Sequence, residues 1–389
     1  MVGHARTFLK KFSLSPSNIG SGLEAKRTFL RLVQPTPRLP QRATFRASSL
    51  YIIPFCFKVP ERLPGQACIQ WNARREVRAA HLAVPPTFGK QNGMDDQIIP
   101  QPNTTPNFGS ISYYIRVKVV ADKQINVLDE TLLGETWRVL RLTPVVDEIG
   151  PLDTCNTAGL DYSASDTAYL EKARWQGTLG KVIMQVRQPK SLCLPISTGY
   201  NRSNIKSVET TVFIKLIFEP VEPDGMPPNL ERLTCKLRTG TLFNTTPVLE
   251  TPFSLGTNRV DGTLNGLSVA SVPMLDQSVG GLVWQESVRP MDSSIQSPLQ
   301  RTSWSRGFKV FTINSAVPLR LAIDKIEYLP TFHSCLISHF HVIDLSLALQ
   351  APRKSLFPKK KSLHVEVPLQ VFSDVFCDES SGWSESEDG

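Results

Sequence analysis

The chain has 389 residues, 41% of them hydrophobic, with 30 prolines and a formal net charge of +8. At roughly 100–200 residues per domain, this length allows two or three domains with ordinary apolar cores. The proline content excludes an architecture of long helices, because a proline inside a helix costs about 3 kcal/mol, and no run of ~20 apolar residues marks a membrane-spanning helix.

The start is basic. From Met1 to Arg46 nine Lys/Arg accompany one acid, Glu24. Arg6, Lys10 and Lys11 lie in a serine-containing stretch, and Ala5–Leu14 could form a short basic amphipathic helix of the mitochondrial-transit type. The simpler expectation for residues 1–27 is a solvated segment without ordered structure. Further on, Tyr51, Ile53, Phe55, Phe57 and Val59 alternate and predict a strand. Pro54 cannot donate to a sheet ladder, which places that strand at an edge or bulge, and Pro60 and Pro64 end it. A short helix is expected over Arg74–His81. Ile111, Tyr113, Ile115, Val117 and Val119 then share the inward face of a strand.

Residues 151–170 are small, polar and aperiodic, and read as a linker; Ala164–Ala173 within and beyond it is a second candidate helix. Period-two alternation returns at Val182–Val186, Val212–Phe218 and Leu233–Leu237. It continues at Ile337–Leu349, where His339 and His341 share the apolar face, and ends at Leu363–Val371. Turn-rich links separate these segments, so the fold class is all-β, built as β-sandwiches. The expected division is a sandwich over 28–150, the linker, a sandwich over 171–373, and a disordered tail over 374–389. That tail has six acids and no base.

Seven cysteines, an odd number without a CxxC pair, fit thiols packed as small hydrophobes and a reducing compartment. Asn103, Asn201 and Asn244 open glycosylation sequons, which matter only in a secreted chain.

Four residues invite a zinc reading: His333, Cys335, His339 and His341. No second paired ligand set is visible, so neither metal nor cofactor is expected, and packed histidines are the simpler reading. No GxSxG elbow or GxxxxGK[ST] loop occurs, and no enzyme is expected. The loop around Arg353, Lys354, Leu356, Phe357, Lys359, Lys360 and Lys361 sets cations around an apolar pair. It is a candidate contact for anionic lipid, at about 1 kcal/mol per cation. No aromatic-interleaved pattern accompanies the charge, and no nucleic-acid partner is expected. In the tail, Ser380, Ser381, Ser384 and Ser386 stand among acids as phosphorylation candidates.

Several segments resemble, in order, the arrestin family. Pro54-Phe55, Phe57, Val59-Pro60 and Leu63-Pro64 resemble its N-domain strand running into Val-Pro and Leu-Pro steps. Ser110–Val117 resembles a following strand, and Trp175–Gly180 resembles the start of the second domain in fungal members. Tyr328–Ser338 with Asp344–Leu347, then Val365–Leu369, resemble its last two strands. The resemblance spans Thr28 to Val371. It implies two immunoglobulin-like β-sandwich domains in tandem. It also implies an α-arrestin-like adaptor that binds cytosolic tails of plasma-membrane transporters or receptors and links them to ubiquitin-dependent endocytosis. The expected location is the cytoplasm, with recruitment to plasma membrane or endosomes.

Two features depart from that pattern. The family places strands ahead of a segment like Phe29–Leu32, whereas Met1–Lys26 shows no matching strands, so the first sandwich is expected to be incomplete. Ligase recruitment uses PPxY, and Pro85-Pro86-Thr87-Phe88 and Pro227-Pro228-Asn229-Leu230 both lack the tyrosine. A HECT-type ubiquitin ligase would therefore be reached through another partner. Two alternatives stay open: a retromer-like sorting scaffold without ligase recruitment, and an N-terminally truncated or organelle-imported β protein.

Overall fold

Alternating apolar and polar side chains turn almost every ordered segment into an antiparallel strand. The computed structural model describes residues 1–10, 22–34, 48–68, 75–89, 108–120, 132–145, 163–171, 177–195, 206–222, 224–247, 265–289, 308–323, 328–350, 352 and 360–374. The chain divides into two units. Unit 1 comprises Met1–Val145, Thr241–Ser268 and Thr331–His339; unit 2 comprises Val146–Gly240, Val269–Pro330 and Phe340–Gly389.

Unit 1 is built on β1 (Val2–Lys10), β2 (Gly22–Arg31), β3 (Gly109–Val120) and β4 (Leu132–Leu140), with a 3₁₀ turn over Gly65–Ala67 and one helix, α1 (Arg75–His81). The strands lie in the order β2-β1-β3-β4. Pairing runs Val2↔Arg31 to Lys10↔Gly22, Val2↔Tyr114 to Thr7↔Gly109, and Tyr113↔Leu140 to Val120↔Leu132. Ala5, Phe29, Leu30, Ile111 and Tyr113 are buried on one side. Phe88 bridges to Ile111 through two backbone hydrogen bonds of 3.0 and 2.8 Å. Its ring packs with Phe243, Phe332 and His339 at centroid distances of 5.8–6.1 Å. Two polar groups inside are paired: Tyr113 Oη donates to the Pro85 carbonyl at 2.5 Å, and Thr7 Oγ1 donates to the Asn244 carbonyl at 2.7 Å.

Unit 2 takes β5 (Ser163–Glu171), β6 (Thr178–Arg187), β7 (Leu192–Pro195), β8 (Ser207–Pro220), β9 (Asn229–Asn244), β10 (Asn265–Ser278), β11 (Gln285–Arg289) and β12 (Phe308–Ala322). After β13 (Phe332–His333) come β14 (Ile337–Gln350), β15 (Lys360–Leu369) and β16 (Val371–Asp374). Both β13 and the outer ends of β9, β10 and β14 fall in unit 1. One sheet has the order β11-β12-β8-β6-β5; the other runs β10-β9-β14, with β15 also on β14; β7 and β16 form a parallel pair. A sandwich core lies between the two sheets. It includes Val182, Met184, Val212, Phe218, Leu233, Leu237, Leu345, Leu347, Leu363 and Val367. Each such side chain contributes about 1.5–3 kcal/mol by leaving water.

Several expectations are corrected. Met1–Lys26 was read as strandless, yet β1 occupies Val2–Lys10 and β2 begins at Gly22. Their charges lie on an outer sheet face, where Arg6 Nε meets Glu24 at 2.8 Å, so neither disorder nor a helix at Ala5–Lys10 holds. The strand expected over Tyr51–Val59 does not form: the segment pairs with no described strand, and Ile52 and Phe55 are exposed. Ala164–Ala173, expected as helix following a linker, contributes β5, paired from Ser163↔Arg187 to Glu171↔Thr178. The helix expected at Arg74–His81 (α1, Arg75–His81) and the strands at 111–119, 182–186, 212–218, 233–237 and 337–349 match expectation, whereas the last strand expected over 363–371 ends at Leu369 and Val371 opens β16. Cys193 is disulfide-bonded, against the reading of thiols alone, while Cys56, Cys68, Cys235 and Cys335 are free. Asn244 is buried, which closes its sequon.

Candidate interaction surface

The outward face of the β2-β1-β3-β4 sheet carries a shallow groove of about 400 Å³, lined by His4, Arg6, Lys26, Tyr114, Arg116 and Trp137 among others. Cross-strand pairing explains the grouping. Partners directly opposite in an antiparallel ladder share a face, and the register sets His4 beside Ser112, Arg6 beside Lys26 and Ser110, Arg116 beside Trp137, and Lys118 beside Glu135. Arg6, Lys26, Arg116 and Lys118 thus outnumber Glu24 and Glu135 on this face, four cations to two carboxylates. Arg116 clasps Glu135 with both Nε and Nη2, the latter at 2.8 Å. That hydrogen bond holds the Glu135 carboxyl below its ordinary range and raises the Arg116 guanidinium.

His4 organises the middle of the groove. Its Nε2 lies 2.5 Å from Tyr114 Oη, its Nδ1 lies 2.8 Å from Thr28 Oγ1, and its ring stacks on Tyr114 at 5.3 Å. Burial lowers its pKa, and the nearby Lys26 charge adds to that, so the imidazole is neutral at pH 7. The groove therefore offers cations at its flanks around a neutral, aromatic centre.

The far end of the sheet is apolar and uncovered. Val117 and Val119, expected to face inward, are 47% and 45% exposed. The inner packing stops near Ile115, and the β3–β4 ribbon extends past it. Val120, Leu132 and Leu133 are also exposed there, and Trp137, opposite Arg116, is exposed on the groove face. Among the described residues β4 pairs only with β3, so one side of β4 is a free ladder edge next to an apolar patch.

The histidines and cysteine of the zinc reading separate. His339 Nδ1 lies 2.9 Å from Thr241 Oγ1 in unit 1. In unit 2, His341 Nδ1 lies 3.1 Å from Thr239 Oγ1, and its Nε2 lies 3.0 Å from the Leu329 carbonyl. Both imidazoles are engaged as core polar groups. Cys335, on the turn between β13 and β14, instead faces Cys68 and His81. The Cys68 Sγ–His81 Nδ1 distance is 3.6 Å, the Cys335 Sγ–His81 Nδ1 distance is 3.9 Å, and the three ligand atoms lie within 4.8 Å of one another. Neither Cys68 nor His81 belonged to the sequence-based set; their separation of 13 positions hid the pairing. Asp344, His364 and Glu366 also converge, with His364 exposed, the two carboxylates half-buried, and Glu366 bonded to Arg238.

Of the lipid-contact candidates, Lys360 and Lys361 open β15, and Lys360 Nζ sits 3.1 Å from Glu231. Arg353, Lys354, Leu356, Phe357 and Lys359 lie outside the described residues, as do Ser380, Ser381, Ser384 and Ser386. Compared with known proteins, the chain matches no family model and no curated protein.

Proposed function

We propose that the protein is an arrestin-like adaptor, which recognises extended cytosolic tails of membrane cargo and links them, through a further partner, to a HECT-type ubiquitin ligase. The observation that carries this reading is the β4 edge, unpaired among the described residues, with exposed Val117, Val119, Leu132 and Leu133 at its end and Trp137 in the cationic groove. An unpaired strand supplies main-chain donors and acceptors to an incoming peptide, and neighbouring pockets select its alternate side chains. The excess of Arg and Lys on the same sheet favours acidic or phosphorylated tails and speeds their encounter. The recurrence of arrestin-like segments from Thr28 to Val371 supplies the cargo class. Basic surface around Lys360 and Lys361 would orient the body at an anionic bilayer.

The direct test is amide hydrogen exchange with acidic cargo-tail peptides. Binding by strand addition protects β4 amides, and Leu133→Glu with Trp137→Glu removes that protection while leaving the unfolding midpoint unchanged. Protection confined to other strands, or none with any tail peptide, contradicts the assignment.

A further inference from the structure

Three buried ligand atoms converge in unit 1 from elements far apart in sequence. Cys68 follows the 3₁₀ turn, His81 closes α1, and Cys335 sits on the β13–β14 turn. Cys68, His81 and Cys335 are 1%, 3% and 5% exposed. In tetrahedral zinc coordination, metal–sulfur bonds of about 2.3 Å and metal–nitrogen bonds of about 2.0–2.1 Å separate ligand atoms by roughly 3.5–3.8 Å. The two sulfur–nitrogen distances, 3.6 and 3.9 Å, lie close to that range.

Hydrogen bonding accounts for this cluster less well. A neutral imidazole nitrogen presents one lone pair, yet both thiols reach the same Nδ1. Cys335 Sγ also reaches the Ala67 carbonyl, at a long 3.9 Å, and that carbonyl takes a 2.6 Å hydrogen bond from Arg27 Nη2 as well. His333, two residues before Cys335 and outside that 4.8 Å group, is 5% exposed with both ring nitrogens buried and unpartnered. It is near enough to His81 that a charge on one opposes a charge on the other. Arg27 completes the setting: its guanidinium lies against the backbone just before Cys68, at 2.6 Å from the Ala67 carbonyl.

We propose that Cys68 Sγ, His81 Nδ1 and Cys335 Sγ hold a divalent ion of the zinc class, tying α1 to the β13–β14 turn, with the His333 ring turning in as the fourth ligand of a tetrahedral site. Two thiolates and two imidazoles suit zinc by softness and geometry. Such a site is closed and structural, and binding stabilises the folded unit. The assignment is independent of the adaptor reading.

The test uses the full chain, purified under reducing conditions without chelator. Elemental analysis is expected to find about one zinc per chain. Reconstitution with Co²⁺ is expected to give thiolate-to-cobalt charge transfer and the intense visible bands of tetrahedral cobalt. The Cys68→Ser/Cys335→Ser double variant loses both signals. His333→Gln, which removes a side chain with no hydrogen bonds to lose, keeps the charge transfer but weakens zinc binding at least tenfold. Absence of charge transfer in the parent, or a Cys68–Cys335 disulfide in chain prepared without reductant, overturns the site. Unchanged affinity in His333→Gln removes the fourth ligand and with it the four-residue assignment.

Discussion

Gly89 sits at φ +75°, and a Cβ there would lie 2.3 Å from the Gly109 carbonyl oxygen. Neither the backbone conformation nor the space admits a side chain, since the opposing atom belongs to the ladder that joins Phe88 to Ile111. Gly89→Ala is expected to destabilise the chain by about 2–4 kcal/mol, read from its denaturant midpoint. At His341 the relevant variable is pH. Burial lowers its pKa to about 4, with the Leu329 carbonyl bond opposing the shift. Below the unfolded value of about 6.5 the unfolded chain takes up a proton that the folded ring refuses. Stability from this group is complete above that pH and falls by roughly 3 kcal/mol as pH drops towards 4. His341→Leu should cost stability at pH 7, through lost bonds to Thr239 and Leu329, yet flatten the loss between pH 6.5 and 4. Equal slopes in parent and variant would contradict the assignment.

Strands carry the same logic at larger scale. Along β14, alternate residues bury completely, so Leu347→Ala is expected to cost about 2–5 kcal/mol. Tyr169 on β5 is 60% exposed, and Tyr169→Ala should stay within about 0.5 kcal/mol; unfolding curves for both test the two-faced packing. This alternation made β6, β8, β9, β14 and β15 legible in the sequence. It failed where another influence dominated. In β5, Ala164 and Ala168 fit helical spacing as well as a strand, and pairing with β6 decided between them. In β1 and β2, basic residues suggested a solvated tail, although they mark the wet face of a sheet. Tyr51–Val59 alternates but has no strand beside it among the described residues, and Pro54 withholds a ladder donor. Prolines do enter real strands: Pro273 and Pro368 lie on β10 and β15, each at the outside of its sheet, and Pro318 lies on β12 beyond its pairing with β11. The Cys68–His81–Cys335 cluster was illegible for a related reason. Spacing rules find ligands on one turn or hairpin, whereas these meet only once α1 packs beside β13.

For the whole molecule, two antiparallel units, each with its own core, leave broad sheet faces and at least one open edge. Such surfaces suit gripping an extended partner. The central claim is therefore recognition of membrane cargo through the β4 edge. Proximity labelling in the cell of origin, comparing the parent chain with the Leu133→Glu/Trp137→Glu variant at equal abundance, tests it most directly. The account predicts that transporters or receptors are labelled together with ubiquitin-ligase components, and that the variant loses the cargo set. Identical labelling by both chains, or labelling of coat subunits or mitochondrial matrix proteins without cargo and ligase, would contradict it.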